Sequence, residues 1–212
     1  METLRLYDFL PSGNGYKIRL LLSQMGIPYE RIEVNILKGE SRTPEFLSKN
    51  PNGKIPVLEV EPGKYLTESN AILAYLSEYT EFLPYDRFLK AQVFQWLFFE
   101  QYSHEPYIAT SRFWISILGK AEEYQAALAQ KQEPGYAALS VMENHLQSHL
   151  YFVGDRYTIA DIALFAYTHV ADEGGFDLSR FPAIQRWIGR VKAQPGYISI
   201  THEPMPLEAE FC

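Results

Sequence analysis

The stretch Leu4–Leu22, LRLYDFLPSGNGYKIRLLL, decides the fold of the first half of the chain. Leu4 to Phe9 alternate in polarity and are rich in strand formers, which predicts a β-strand. Apolar residues at helical spacing predict a helix from Tyr16 to Met25. Between them, the turn Ser12-Gly13-Asn14-Gly15 puts a hydroxyl and a carboxamide at a helix start, where backbone N–H groups favour an anion. We expect Ser12 and Asn14 to hold a sulfur anion at this turn.

The remainder of the first 80 residues completes a β-α-β-α-β-β-α order. A second alternating stretch, Tyr29 to Val34, follows the first helix closely enough for a βαβ unit, so its strand should run parallel to the first. Thr43 is expected to cap a short helix and Ser69 a longer one. Between these helices, a strand beginning near Lys54 turns back at Pro62-Gly63 into a return strand. This order is typical of thioredoxin-like domains.

The second half of the chain has a helical pattern throughout. Phe88 to Leu118 form one long helical pattern that Pro106 should kink without ending. Two separate amphipathic helices are expected to follow it, at Lys120 to Lys131 and at Pro134 to Leu150.

A capping box near the end of the chain marks one further helix. Thr158, followed three residues later by Asp161, precedes an apolar stretch that should be the buried central helix of a bundle. Thr201 to Cys212 are expected to form a tail. We therefore predict an α/β plus all-α protein, with a thioredoxin-like N-terminal domain at 1–80, a linker at 81–86 and an all-helical C-terminal domain at 87–212.

Composition argues against several classes of function. The formal charge of −7 and the pI of about 5.3 argue against nucleic acid as a partner. We predict no membrane partner, because no run of ~18 apolar residues is present. The first residues, METLRLYDF, lack the basic and apolar parts of a secretion signal. The single cysteine, Cys212, cannot form a disulfide framework, and this favours a reducing, cytoplasmic location.

Two further motifs predict a small peptide as the ligand. Pro56 opens the strand at which thioredoxin-like folds keep a cis bond, although a trans proline entering a strand is the alternative. A cis bond would leave the N–H and C=O of Ile55 available to a short peptide strand. Ser69 and its helix start would bind a carboxylate and Glu68 an ammonium, unless the pair is an ordinary helix cap. Both groups occur together at a free amino-acid end, so the three motifs predict a peptide that carries sulfur.

Two other kinds of site are disfavoured by their spacing. The third glycine of a dinucleotide-binding motif that begins at Gly13 would fall at Ile18. His145 and His149 are spaced like a zinc pair, but Leu146 stands where such a helix carries glutamate, and no third ligand is evident. We predict no metal.

Four motifs, in order and spacing, carry a resemblance to a known family. PSGNGYK at 11–17, NPNGKIPVL at 50–58, TESNAI at 67–72 and TIAD at 158–161 resemble the soluble glutathione transferases across nearly the whole chain. The resemblance implies a thioredoxin-like domain that binds glutathione as co-substrate and a helical domain that supplies the second-substrate pocket. It also implies a homodimer.

The turn after the first strand resembles that of the bacterial serine- or asparagine-type enzymes, which are theta- or Nu-like. Asp8, rather than Tyr7, falls nearest the tyrosine of the tyrosine-type enzymes, and no cysteine lies at the helix start. Ser12 stands where serine-type enzymes carry serine. Asn14-Gly15 resembles the Nu-like group, in which this pair goes with glutathione-dependent disulfide reduction. Donation from Ser12 Oγ and Asn14 Nδ2 would favour the thiolate of glutathione over its thiol, whose free pKa is ~8.5.

Each of the remaining candidate site residues has two possible interpretations. The resemblance makes Lys38 and Lys54 partners of the glycine-end carboxylate, but both are equally typical of solvated surface lysines. One face of the long helix, together with Arg112, would form the acceptor-pocket wall opposite the sulfur, or else be core. That face carries His104, Tyr107, Ser111 and Trp114.

These observations predict a glutathione transferase that acts on small electrophiles. A glutathione-dependent reductase of disulfides or peroxides would use the same site. A non-catalytic binding or assembly module with this fold is the alternative of another class, and the presence of Ser12, Asn14 and Ser69 argues against it.

Overall fold

The computed structural model describes residues 3–204, and the strand, turn and helix predicted at Leu4–Leu22 are all present. The chain divides into two compact units, Met1–Leu76 with Pro195–Cys212, and Ser77–Gln194. Residues 195–204 group with the first unit. Residues 205–212 of the predicted tail, including the single cysteine, lie outside the described residues.

The first unit has the predicted thioredoxin-like order. Its mixed four-stranded sheet runs β2-β1-β3-β4, with β1 parallel to β2 and antiparallel to β3, and with β4 antiparallel to β3. Two short 3-10 turns, Ile36–Lys38 and Glu40–Arg42, precede the second helix. The elements are β1 (Leu4–Asp8), α1 (Gly13–Gln24), β2 (Tyr29–Glu33), α2 (Pro44–Lys49), β3 (Val57–Glu61), β4 (Lys64–Thr67) and α3 (Ser69–Ser77).

Two helix starts differ from the sequence prediction. Helix α1 begins at Gly13 instead of Tyr16, because the side chain of Ser12 caps it. The prediction that Ser69 caps α3 is wrong, since Ser69 is the first helical residue and the carbonyl of Glu68 accepts the first helical hydrogen bond, from the N–H of Ile72 at 2.9 Å. Glu68 has a φ of 67°, a left-handed conformation that is uncommon for residues other than glycine.

Buried side chains lie on both faces of the sheet. One face packs the fully buried Leu6 and Leu58, and the fully buried apolar residues of α1 and α3 include Ile18, Leu21 and Ile72. A second cluster gathers Val34, Phe46 and Val57, with Tyr7, Ile55 and Tyr65 packed against it.

Residues 195–204 group with the first unit because α1 binds their backbone. The guanidinium of Arg19 donates to the carbonyl of Ile200 at 3.0 Å and, through Nε, to Oδ2 of Asp8 at 2.9 Å. Tyr16 and Ser23 donate side-chain hydrogen bonds to the carbonyls of Ile198 and Gly196, at 2.7 and 2.8 Å. Arg19 and Asp8 are both fully buried. Their ion pair links β1 to α1, and Arg19 also links α1 to residues 195–204.

The second unit is helical, as predicted. Its helices are α4 (Arg87–Phe99), α5 (Glu105–Arg112), α6 (Gln125–Leu146), α7 (Ile159–Thr168) and α8 (Pro182–Lys192). The predicted long helix continues through Pro106, because a wider π turn at Glu100–His104 precedes the proline and a second π turn, Phe113–Ile117, follows α5.

The predicted break at Pro134 is wrong. Helix α6 runs through this proline as one element, where two helices were expected. An interior proline removes one backbone hydrogen bond, but α6 packs against both α5 and α8. Leu139 and Met142 of α6 are fully buried, and this packing offsets the lost hydrogen bond.

The predicted capping box at the start of α7 is confirmed. The Oγ1 of Thr158 accepts from the N–H of Ala160, and Oδ2 of Asp161 accepts from the N–H of Thr158 at 2.9 Å. Every residue of α7 is buried, as expected of a central helix. Among residues 3–204, no helix has both the length and the apolar character needed to cross a membrane.

Candidate active site

The turn at the start of α1 presents Ser12 as its cap. Oγ of Ser12 accepts from the N–H of Gly15 at 3.3 Å, and the side chain is half-buried. Within residues 3–204, the hydroxyl hydrogen of Ser12 is not used in any hydrogen bond. Gly15 lets the turn lie directly over Asp8, because a Cβ at this position would overlap the carboxyl group of Asp8. Ser12 therefore combines an acceptor role in the helix with a remaining donor at the helix N-terminus.

A chain of side-chain hydrogen bonds joins the starts of α1 and α3. Nζ of Lys17 donates to Oγ of Ser69 at 3.3 Å and to Oδ1 of Asn70 at 3.2 Å. Oγ of Ser69 in turn donates to Oδ1 of Asn14 at 3.1 Å. Lys17 is fully buried and Ser69 is 4% exposed, so this network lies under the turn. Two predicted site residues, Asn14 and Ser69, are in direct contact.

Lys17 was missed by the sequence interpretation, although it is the last residue of the PSGNGYK motif. A lysine between apolar helical residues is usually solvated through its long stem, and nothing local distinguishes a buried one. Only the meeting of the two helix starts shows where its ammonium group lies.

The predicted cis bond at Ile55-Pro56 is present. Ile55 packs its side chain against the cluster of Val34, Phe46 and Val57, and its backbone N–H and C=O have no hydrogen-bond partner among the residues described. The turn before it is held by Asn50, another missed residue, whose Nδ2 donates to the carbonyl of Lys54 at 2.7 Å.

Glu68, Lys38 and Lys54 are all exposed in the first unit. Glu68 directly precedes α3, and Lys38 ends the first 3-10 turn, which Oδ1 of Asn35 caps. The side chain of Lys54 follows the left-handed Gly53, whose φ is 63°. The structure therefore places these three charged groups on loops, while Ser12, Asn14 and Ser69 meet at helix starts.

The side chains of Tyr7 and Asp8 are hydrogen-bonded to other residues of the first unit. The hydroxyl of Tyr7 donates to Oε2 of Glu59 at 3.0 Å, and burial together with this carboxylate raises the pKa of Tyr7 far above its ordinary value. Asp8 is fully buried, and besides Arg19 it binds the N–H of Phe9 at 2.7 Å. Neither group is presented at the turn.

The predicted acceptor residues are spread over two environments in the second unit. His104 is fully buried, and its Nε2 lies 2.9 Å from Oγ1 of Thr168. Because that hydroxyl already donates to the carbonyl of Leu164 at 2.6 Å, Nε2 must be the donor of the pair. Ser111 is also buried and donates to the carbonyl of Tyr107 at 2.7 Å.

Tyr107 and Trp114 are instead brought together by a lysine. Nζ of Lys131 lies 5.7 and 5.2 Å from the centroids of the two rings, within cation–π range. Trp114 stacks on Tyr124 with the ring centroids 4.5 Å apart. Lys131 was not predicted, because it comes from α6 and the sequence gives no sign of that helix's position.

Arg112 is also held inside the second unit. Its Nε donates to Oε2 of Glu173 at 2.7 Å, and its side chain is 7% exposed. Of the residues described, no three histidine, cysteine or acidic side chains are grouped so as to hold a metal ion.

Comparison with known families agrees with this geometry. Residues 2–78 match the glutathione S-transferase N-terminal domain, and residues 97–195 match the glutathione S-transferase C-terminal domain. The chain belongs to the glutathione S-transferase family. The predicted fold class and the assignment to the glutathione S-transferases are thereby confirmed.

Individual members of the glutathione S-transferase family are similar over nearly the whole chain. A crystal structure of glutathione S-transferase from Pseudomonas fluorescens is 53% identical, with a TM-score of 0.93, and the match covers 95% of this chain and 100% of that one. A second family member from that organism, crystallised with two glutathione bound, is 31% identical with a TM-score of 0.80 over 92% of this chain and 90% of its own. Disulfide-bond oxidoreductase YfcG of Escherichia coli is 31% identical over 88% of this chain and 89% of its length.

Proposed function

We propose that this glutathione S-transferase binds glutathione at the turn Ser12-Gly13-Asn14-Gly15 and stabilises its sulfur as the thiolate. The observation that carries the proposal is the hydroxyl of Ser12, which accepts from the helix backbone and keeps its hydrogen for a ligand. Lowering a thiol pKa from ~8.5 by about two units takes roughly 2.7 kcal/mol of differential stabilisation. Two hydrogen bonds to a charged acceptor, aided by the helix N-terminus, are of that magnitude.

The rest of the first unit offers a partner for each part of the peptide. The exposed carboxylate of Glu68 would bind the free ammonium, and the N–H groups at the start of α3 would bind the neighbouring carboxylate. The backbone of Ile55 would pair with the peptide as a short added strand. Lys38 and Lys54 are exposed cations, so they suit the glycine-end carboxylate.

In the proposed reaction, the thiol proton leaves to solvent and the sulfur attacks the electrophile. The new bond joins sulfur to the electrophilic atom, and the leaving group departs with its bonding electron pair. Ser12 and Asn14 donate to the sulfur and form no covalent bond with it. The hydroxyl of Tyr7 does not fit this role. Its hydrogen is donated to the carboxylate of Glu59, and the pKa of Tyr7 is raised.

The acceptor side of the reaction is proposed for the helical unit. Tyr107 and Trp114 supply aromatic surface beside the cation of Lys131, which suits a polar aromatic substrate. His104, Ser111 and Arg112 are buried and are proposed to shape the pocket from behind. A homodimer in the cytoplasm remains our expectation for this chain.

A second activity, reduction of small disulfides, is favoured by two observations on relatives. One similar protein is named a disulfide-bond oxidoreductase, and another was crystallised with two glutathione bound. Two glutathione molecules would serve such a reaction. The first thiolate attacks the disulfide, forming a mixed disulfide and expelling one substrate thiolate, and the second attacks the glutathione sulfur of the mixed disulfide, forming oxidised glutathione and expelling the other substrate thiolate.

The test combines binding, thiolate formation and turnover. Wild-type protein should be retained on immobilised glutathione and should show a lowered pKa for the bound thiol in a thiolate absorbance titration. Ser12→Ala should raise that pKa, while Ser140→Ala, which removes an exposed helical hydroxyl in the second unit, should not. An unchanged titration in Ser12→Ala would remove Ser12 from the mechanism.

Turnover separates the candidate activities. Activity towards an aryl chloride supports the transferase, and activity towards small disulfides alone supports the reductase. Absence of glutathione binding in calorimetry would favour the non-catalytic module.

A further inference from the structure

The side chain of Arg19 links the turn that carries Ser12 to the segment 195–204. One end of its guanidinium, Nη2, donates to the carbonyl of Leu10 at 2.6 Å, two residues before Ser12. The other end, Nη1, donates to two carbonyls of the segment. We propose that Arg19 is a positioning residue, through which the segment 195–204 holds Ser12 in place for the glutathione sulfur. This inference rests on the proposed function and adds a residue and a segment to the proposed site.

The segment is attached to α1 in a regular way. Every second carbonyl, at positions 196, 198, 200 and 202, accepts a hydrogen bond from a side chain of α1. Ser23 and Tyr16 bind the first two carbonyls, and Nη1 of Arg19 binds the last two at 3.0 and 3.3 Å. The segment therefore lies along α1 and ends its contacts at the guanidinium.

The backbone of the turn is held by the ion pair of Asp8 and Arg19. The N–H of Phe9 donates to Oδ1 of Asp8 at 2.7 Å, and the carbonyl of Leu10 accepts from Arg19. The carbonyl of Phe9 accepts from the N–H of Ser12 at 2.7 Å, which closes the turn. The position of Ser12 therefore depends on where this ion pair lies.

The segment fixes the orientation of the guanidinium. A guanidinium is planar, its five N–H groups have a fixed geometry, and it can only donate, so the direction of each bond to a carbonyl is unambiguous. Nη1 and Nη2 move together, and a change at the carbonyls of Ile200 and His202 must therefore change the approach of Nη2 to Leu10. Arg19 is fully buried, so a lost carbonyl is not easily replaced by water.

The alternative is that the start of α1 positions Ser12 without help from the segment. Oγ of Ser12 accepts from the N–H of Gly15 at 3.3 Å, and this cap could be sufficient. In that case, the segment would stabilise the first unit and have no effect on the sulfur. The two possibilities differ in what happens at Ser12 when the segment is displaced.

Gly196→Ala displaces the segment without altering a residue of the proposed site. Gly196 has a φ of 70°, and a Cβ there would lie 2.8 Å from both Cα of Gln24 and the backbone oxygen of Ser23. Because backbone atoms of α1 cannot move aside, the segment must shift. Gly26→Ala is the matched control, since Gly26 has a similar φ of 64° but a Cβ there meets nothing within 4 Å.

The first measurement is the pKa of bound glutathione, by thiolate absorbance in the full-length protein. Gly196→Ala should raise the bound-thiol pKa by about one unit, a tenfold smaller thiolate fraction near neutral pH, whereas Gly26→Ala should titrate like wild type. Tyr16→Phe, which removes only the hydroxyl that binds the carbonyl of Ile198, should shift the pKa in the same direction. This milder variant decides the question if Gly196→Ala fails to fold.

The second measurement is hydrogen exchange, which does not require catalysis. Without glutathione, the amide of Ser12 should exchange faster in Gly196→Ala than in wild type or Gly26→Ala. Because coupling between two sites is reciprocal, glutathione should slow exchange at the amide of His202, which donates to the carbonyl of Ser199 at 3.0 Å.

Three results would overturn the proposal. They are a wild-type bound-thiol pKa in both folded Gly196→Ala and Tyr16→Phe, equal pKa shifts in Gly196→Ala and Gly26→Ala, and unchanged exchange of the Ser12 amide in Gly196→Ala. A wild-type protein that does not lower the thiol pKa would instead overturn the proposed function. In that case, exchange at Ser12 would still show whether the segment holds the turn.

Discussion

The hydroxyl of Tyr7 donates a hydrogen bond to Oε2 of Glu59, 3.0 Å away on the neighbouring strand. Glu59 also accepts from the N–H of Gly63 at 2.9 Å, and this backbone donor, more than any other group, lowers the pKa of Glu59. A tyrosine that activates a thiol must donate its hydrogen to sulfur. The hydroxyl hydrogen of Tyr7 is instead donated to the side chain of Glu59.

Tyr7→Phe should therefore leave the pKa of bound glutathione and the turnover unchanged, because the sulfur loses no donor. It should lower the free energy of unfolding by about 1 kcal/mol, the usual contribution of one hydrogen bond. Urea denaturation and the thiolate titration measure the two quantities. A large loss of turnover with an unchanged fold would give Tyr7 a catalytic role and contradict the proposal for Ser12.

Arg19→Met should destabilise the first unit by about 3–5 kcal/mol, because it leaves the fully buried carboxylate of Asp8 without its ion pair. The matched control is Arg5→Met, whose ion pair with Glu30 is half-exposed on both sides and should contribute about 0–1 kcal/mol. Urea denaturation of the two variants tests the difference. Equal losses would mean that burial does not determine the strength of these pairs.

Two helical glycines should respond to alanine with opposite signs. A Cβ at Gly189 of α8 meets nothing within 4 Å, so Gly189→Ala should stabilise by about 0.5–1 kcal/mol through helix propensity. A Cβ at Gly135 of α6 would overlap the ring of Phe176, which is 1% exposed, so Gly135→Ala should destabilise by about 1–3 kcal/mol. Thermal unfolding of both variants checks the signs, and stabilisation by Gly135→Ala would show that the ring moves at little cost.

His169 should make the protein less stable in mild acid. Burial lowers its pKa from 6.5 to about 4, opposed by its hydrogen bond to the carbonyl of Phe165. The unfolded chain therefore takes up the proton first, so the contribution of His169 is complete above pH 6.5 and is lost as the pH falls to about 4. Burial also raises the pKa of Asp161 from 3.8 to about 7, which gives a slope of the opposite sign over the same range.

The two slopes are separated by a difference measurement. The free energy of unfolding of wild type minus that of His169→Gln should be constant above pH 7 and should decrease as the pH falls from about 6.5 to about 4. Urea denaturation at several pH values gives this difference, in which Asp161 cancels. A difference that does not change with pH would contradict the burial of His169.

Helix caps and turns were predictable because their chemistry is local. Thr158 with Asp161 and Thr43 before Pro44 satisfy backbone groups within three residues, so a short stretch of sequence contains the whole interaction. The wrong predictions involve packing from elsewhere in the chain. Pro134 reads as a helix break on its own, but the neighbours of α6 hold that helix together.

The sequence by itself determined the strand-turn-helix at Leu4–Leu22, the βαβ order that follows and the presence of Ser12 at a helix start. These follow from periodicity and capping, which depend on neighbouring residues. Only the tertiary structure decided where Lys17 places its charge and which atom of Asn14 Ser69 binds. These contacts join residues more than 50 positions apart, so they form only because the fold brings the starts of α1 and α3 together.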